Sequence, residues 1–110
     1  MNKQAEILKS VPQRTFNVAE TFNLLKANPI WVMSWGARNF TSFESKALLF
    51  KVSGHHFRGI VLITLDYSDT YTITLLSTQW NVKKTIQFVY CDELANTLDT
   101  VIERIPEYAI

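Results

Sequence analysis

The sequence has a single cysteine, Cys91. That excludes an intrachain disulfide and agrees with a reducing compartment. Glycine is nearly as sparse: Gly36, Gly54 and Gly59 are the only three, too few and too scattered to form a loop that cradles phosphate. Three prolines and no Ser- or Pro-rich run leave no sign of a linker or a disordered tail. The only histidines are the neighbours His55 and His56, which point to opposite sides of an extended backbone. With Cys91 far off in sequence and no carboxylate cluster beside them, they fall short of the three or four ligands of a stable zinc site, so no metal or other cofactor is expected. Long apolar runs are missing as well. The longest, such as "IVLITL" at 60–65, are strand-sized, and "MNKQAEILKS" lacks the apolar core of a secretory signal. A cytoplasmic protein with no membrane contact is therefore expected.

What the chain does have is enough apolar material for one core. Of its 110 residues 47% are hydrophobic and 19% charged, which bounds it to one globular domain over residues 1–110. The net charge is +1, but residues 1–60 carry 8 basic against 3 acidic side chains and residues 61–110 carry 3 against 7. In one compact domain the halves interleave, so this imbalance does not establish a basic face.

The segment "FNVAETFNLLKANP" predicts a helix with Asn17 as N-cap and Glu20 at capping-box spacing. Val18, Phe22 and Leu25 share a face, and Pro29 ends the helix. A shorter turn of helix is expected over "KQAEILKS", stopped near Pro12. "IWVMSWGA" reads as a first strand and residues 46–53 as a second. A two-residue turn at His55 and His56 sets Gly54 opposite Phe57, Val52 opposite Gly59, Phe50 opposite Val61 and Leu48 opposite Ile63. Slipping by one residue would send Val61, Ile63 and Leu65 to the other face, so the apolar pattern holds the register. A three-residue loop, Tyr67 to Asp69, then keeps Ile63 opposite Ile73 and Val61 opposite Leu75, with Asp69 in the left-handed position. The last strand, "KKTIQFVY", is expected to add Ile86, Phe88 and Tyr90 to the same face. "CDELANTLDTVIERIP" closes as a helix with Leu94, Leu98, Val101, Ile102 and Ile105 on one side, Asp92 and Glu93 in its first turn, and Pro106 at its end.

The expected fold is α+β: an antiparallel meander of about five strands, flanked by an N-terminal and a C-terminal helix packed on one sheet face. On the opposite face the register gathers Leu49, Ile60, Leu62 and Leu76 amid Lys51, Thr64, Thr72, Thr74 and Gln87. Such a patch is either an interface or the seat of the N-terminal segment or a loop folding back.

Catalysis finds little support. There is no G-x-S-x-G elbow. Cys91 directly precedes Asp92 and Glu93, whose charges oppose thiolate formation, and Asp66 and Asp69 read as turn formers. Nucleic-acid binding has candidate contacts in Trp31, Trp35, Arg38, Lys83 and Lys84, with Trp80, Lys46, Lys51 and Arg58 in reserve. Strand aromatics are usually core, however, and Lys46 and Lys51 project to opposite faces. The double-stranded RNA-binding domain shares the helix-sheet-helix order, but there a lysine pair opens the last helix. Here Lys83 and Lys84 precede a strand.

Trp35, Gly36, Ala37 and Arg38, followed by Leu48, Phe50, Val52, Gly54, Gly59, Val61, Ile63, Leu65, Asp69 and Tyr71, resemble small uncharacterised proteins of Bacteroidetes genomes, some carried on conjugative or mobilisable elements. The resemblance covers the central 40 or so residues, implies no assigned activity and transfers no catalytic residue. It fits an accessory protein that acts through contacts. The resulting expectation is a non-enzymatic interaction or adaptor domain, homodimeric or bound to another protein through Leu49, Ile60, Leu62 and Leu76. The alternative is a nucleic-acid-binding accessory protein.

Overall fold

The structure, a computed structural model, describes residues 3–9, 14–27, 29–54 and 56–102. Three helices come first: α1 (Lys3–Lys9), α2 (Val18–Lys26) and α3 (Pro29–Ser34). Five strands follow, β1 (Arg38–Phe43), β2 (Ala47–Ser53), β3 (Arg58–Leu65), β4 (Tyr71–Leu76) and β5 (Val82–Val89), and then α4 (Leu94–Ile102). The strands form one antiparallel sheet in sequential order, with β1 and β5 as its edges. This is the α+β meander expected from the apolar pattern.

Helix α2 starts as its sequence dictates. The Asn17 side chain accepts a hydrogen bond from the Glu20 backbone N–H at 3.0 Å, satisfying one of the donors a helix start leaves unpaired. The next segment differs from expectation. "IWVMSWGA" is not a strand, because residues 29–34 are helical. Pro29 occupies the first helical position, where its missing N–H costs nothing and its fixed φ suits the helix. Trp35 N–H then bonds the Trp31 carbonyl at 3.0 Å, and Trp31, Val32 and Trp35 turn toward the core while Ile30 and Met33 stay exposed. Gly36, at φ +63, ends the turn with its N–H on the Met33 carbonyl, a left-handed exit that glycine adopts without steric cost.

The first strand is instead β1, "RNFTSF". Only two of its six residues are apolar, so it carries no alternation to betray it. A bulge between Arg38 and Thr41, with Asn39 at φ +59, joins it to β2.

The central register is the expected one. Leu48 pairs with Ile63, Phe50 with Val61 and Val52 with Gly59; across the next ladder Val61 pairs with Leu75 and Ile63 with Ile73. Gly54 N–H bonds the Phe57 carbonyl at 3.0 Å, closing the hairpin turn. His55 lies outside the described residues, while His56 N–H reaches the Ile102 carbonyl at 2.7 Å and so ties the hairpin to the last turn of α4. In the second hairpin Asp66 N–H bonds the Thr70 carbonyl at 2.8 Å, leaving residues 67–69 as the loop with Asp69 at φ +64. Gly59 is required by space: a Cβ there would stand 2.3 Å from the Leu76 carbonyl oxygen.

Strand β5 departs from simple alternation. Ile86 pairs with Ile73 as expected, but a register shift brings Val89, not Phe88, opposite Tyr71. Phe88 and Tyr90 therefore leave the core face, and Val89 is buried in their stead.

The main core lies between the sheet and α2, α3 and α4. Leu25, Trp35, Phe50, Ile63, Ile73 and Leu98 are fully or nearly fully buried in it. Two polar pairs are sealed inside. Trp35 Nε1–H donates to Asp99 Oδ1 at 3.0 Å, joining α3 to α4, and the Thr21 and Tyr71 hydroxyls lie 2.8 Å apart, joining α2 to β4. Leu94, Leu98 and Ile102 form the buried stripe of α4, with Val101 half-buried beside it. Asp92 and Glu93 sit in the turn before that helix, not in its first turn. Ile105 and Pro106, like Pro12, lie outside the described residues.

A second, smaller cluster occupies the other sheet face. Ala47, Ile60, Leu62 and Leu76 are buried there, with Ile7 of α1, Phe43, Leu49 and Trp80 packed against them.

Candidate interaction surfaces

The four aliphatic residues of the outer face do come together, but not as an open patch. Ile60, Leu62 and Leu76 are buried and Leu49 is half-buried, because Ile7, Phe43 and Trp80 lie over them. Of the two expectations for Leu49, Ile60, Leu62 and Leu76, an open interface or a face covered by the N-terminal segment or a loop, the structure has the second, with Ile7 of α1 and Trp80 of the β4–β5 loop as cover. The apolar alternation placed these residues on one face, but what covers that face depends on where α1 and the β4–β5 loop fold.

The nucleic-acid candidates are dispersed. Trp35 is fully buried and hydrogen-bonded to Asp99, and Trp31 is half-buried against the main core. Neither offers a free stacking face. Arg38 stands on edge strand β1, while Lys83 and Lys84 stand on the opposite edge, β5. Four inter-strand steps of about 4.8 Å separate the two edges by roughly 19 Å. Lys84 pairs with Leu75, while Lys83 falls at a register irregularity of the β4–β5 ladder.

Asp66 and Asp69 are occupied in building the second hairpin. Asp66 accepts from the Thr72 hydroxyl, and Asp69 pairs with Arg14 at 2.6 Å, which ties the loop to the segment ahead of α2. Cys91 is exposed in the turn after β5. Among the described residues no three His, Cys, Asp or Glu side chains group to hold a metal ion, and no helix is long and apolar enough to cross a membrane.

Two exposed aromatic side chains stand at the end of β5. Phe88 is 68% exposed and Tyr90 is 59% exposed. Val82, at the other end of the strand, is exposed too. Phe88 adopts φ +60, the left-handed region that costs a residue with a side chain about 1–2 kcal/mol. It is the extra residue of the bulge that turns Val89 inward. Strict alternation assigns Phe88 and Tyr90 to the core, and nothing local in "TIQFVYC" announces the bulge. The signal was visible only as a surplus: three large apolar residues, Phe88, Val89 and Tyr90, compete for the end of one ladder.

A separate cleft opens on the outer face between α1, β1 and the β4–β5 loop. It encloses about 260 Å³, with Leu49 and Ile60 as floor, Leu8, Phe43 and Trp80 as walls, and Lys51 at its rim. Comparison with protein-family models, curated proteins and solved structures finds no match for the chain.

Proposed function

We propose that the protein is a small non-enzymatic interaction domain of the cytoplasm, where Cys91 stays reduced, and that it pairs with a second copy of itself along the free edge of β5. The observation that carries this reading is Phe88. Exposing an aromatic ring and holding it at positive φ both work against the isolated monomer, and strain of this kind collects where a surface is used. The other edge, β1, is shorter, six residues against eight.

Charge permits the two-fold arrangement. An antiparallel pairing centred between Thr85 and Ile86, in the part of β5 between its two register shifts, sets Lys84 opposite Gln87 of the partner subunit, so that no lysine faces a lysine there. The same lysines blunt indiscriminate pairing with other strands.

Sedimentation analysis over a micromolar concentration series tests the proposal. The expected result is a reversible dimer that Phe88→Gly converts to monomer. A nitroxide on Cys91, the sole cysteine, exposed in the turn after β5, should report a single interspin distance in the dimer that is absent from the Phe88→Gly variant. A wild-type chain that stays monomeric throughout, or a dimer untouched by Phe88→Gly, overturns the reading.

A further inference from the structure

The outer-face cleft brings together a pair of like charges and an indole that also covers the outer cluster. Lys51 at its rim stands directly across the β1–β2 ladder from Arg38, and like charges in that position repel. Among the described residues no carboxylate forms an ion pair with either of them; the Arg38 guanidinium donates only to the nearby Gly36 carbonyl. The second feature is Trp80, held at φ +67 in the β4–β5 loop by its N–H bond to the Ser77 carbonyl at 2.8 Å, with the loop closed by Ser77 N–H on the Asn81 carbonyl. A residue as large as tryptophan is unusual at positive φ. Here the conformation lays the indole against Ile60 and Leu76 and makes it a wall of the cleft.

We propose that this cleft binds a small amphipathic monocarboxylic acid. The apolar body would lie on Leu49 and Ile60 beside Trp80, and the carboxylate would bridge the Lys51 ammonium and the Arg38 guanidinium. Charge complementarity selects the ligand. A lysine that lines an apolar recess, with an arginine as its ladder neighbour, suits one negative charge on a hydrocarbon body, and a carboxylate between the two cations would turn a repulsion into two charge-assisted hydrogen bonds. The volume, about 260 Å³, lies just under the range of drug-sized pockets and so limits the ligand to a short acid. The proposal rests on no property of the β5 edge.

Titration calorimetry and tryptophan fluorescence with octanoate, and with 1-octanol as its neutral match, test it on the full chain. Octanoate is expected to bind more tightly than octanol and to change the fluorescence, and Trp80→Phe should abolish that change. Lys51→Gln, at an exposed site where folding is not at stake, should weaken octanoate about threefold to fivefold, the upper part of the range of one exposed charge pair, and leave octanol unaffected. Equal affinities for the acid and the alcohol, an octanoate affinity indifferent to Lys51→Gln, or no heat and no fluorescence change with octanoate would each overturn the proposal.

Discussion

Asp99 illustrates how one polar side chain can be worth more inside this protein than on its surface. It is buried in α4 and accepts the Trp35 Nε1–H, so removing it strands an indole donor where water cannot reach. Asp99→Ala is expected to cost about 1–3 kcal/mol in urea unfolding. Asp99→Asn, which keeps an acceptor oxygen, should cost less, and equal losses for the two would mean that the carboxylate's charge matters rather than its hydrogen bond. Tyr71 offers a second test at the same scale. Burial pushes its hydroxyl above the ordinary value of 10.0, only partly offset by the bond to Thr21. The folded state therefore keeps a proton that the unfolded chain releases first, so this contribution is intact below about pH 10 and is lost as pH rises toward the folded value. Thermal melts should show that alkaline decline in the wild type and a shallower one in Tyr71→Phe.

At the scale of elements, the outer sheet face depends on α1. Leu62 lies among Ala47, Ile60 and Leu76, with Ile7 of α1 packed on the cluster. Leu62→Lys would bury an unpaired charge, a cost of several kcal/mol, and is expected to unfold the chain or sharply lower its melting temperature. A folded variant with altered association would instead mean that α1 leaves this face open. Strand β5 should respond in the opposite sense. Phe88→Gly relieves a left-handed conformation, which glycine adopts at no steric cost. It is expected to stabilise the monomer by about 1 kcal/mol while weakening the proposed dimer. A substitution that helps folding and harms association separates the two roles of this residue.

For the whole molecule, the proposed dimerisation through β5 would make the melting temperature concentration-dependent, because mass action adds to the folded state. Differential scanning calorimetry at rising protein concentration should show an upward drift in the wild type and none in Phe88→Gly. How far the sequence was legible follows from the range of each interaction. Leu48, Phe50, Val52, Val61, Ile63, Ile73 and Leu75 alternate cleanly, so the central hairpins and their register could be read off. Asn17 and Asp69 carry local turn chemistry and could be read as well. "IWVMSWGA" could not. Its β-branched and aromatic residues favour a strand by propensity, yet Pro29 at the helix start and the burial of Trp35 beside Asp99 make it helical. Of the candidate surfaces, the aliphatic set on the outer face was gathered correctly but is covered. The edge aromatics Phe88 and Tyr90 were assigned to the core because alternation carries no notice of a bulge.

The amino-acid sequence by itself determined the class of fold, the pairing of β2 with β3 and β3 with β4, and the buried face of α4, because each follows from a period or a turn preference acting over a few residues. Only the tertiary structure decided which apolar residues are surface. Whether Leu62 meets solvent depends on where α1 packs, and whether Phe88 does depends on one extra residue in the β4–β5 ladder. Both are contacts between segments far apart in the chain, where burial outweighs local preference.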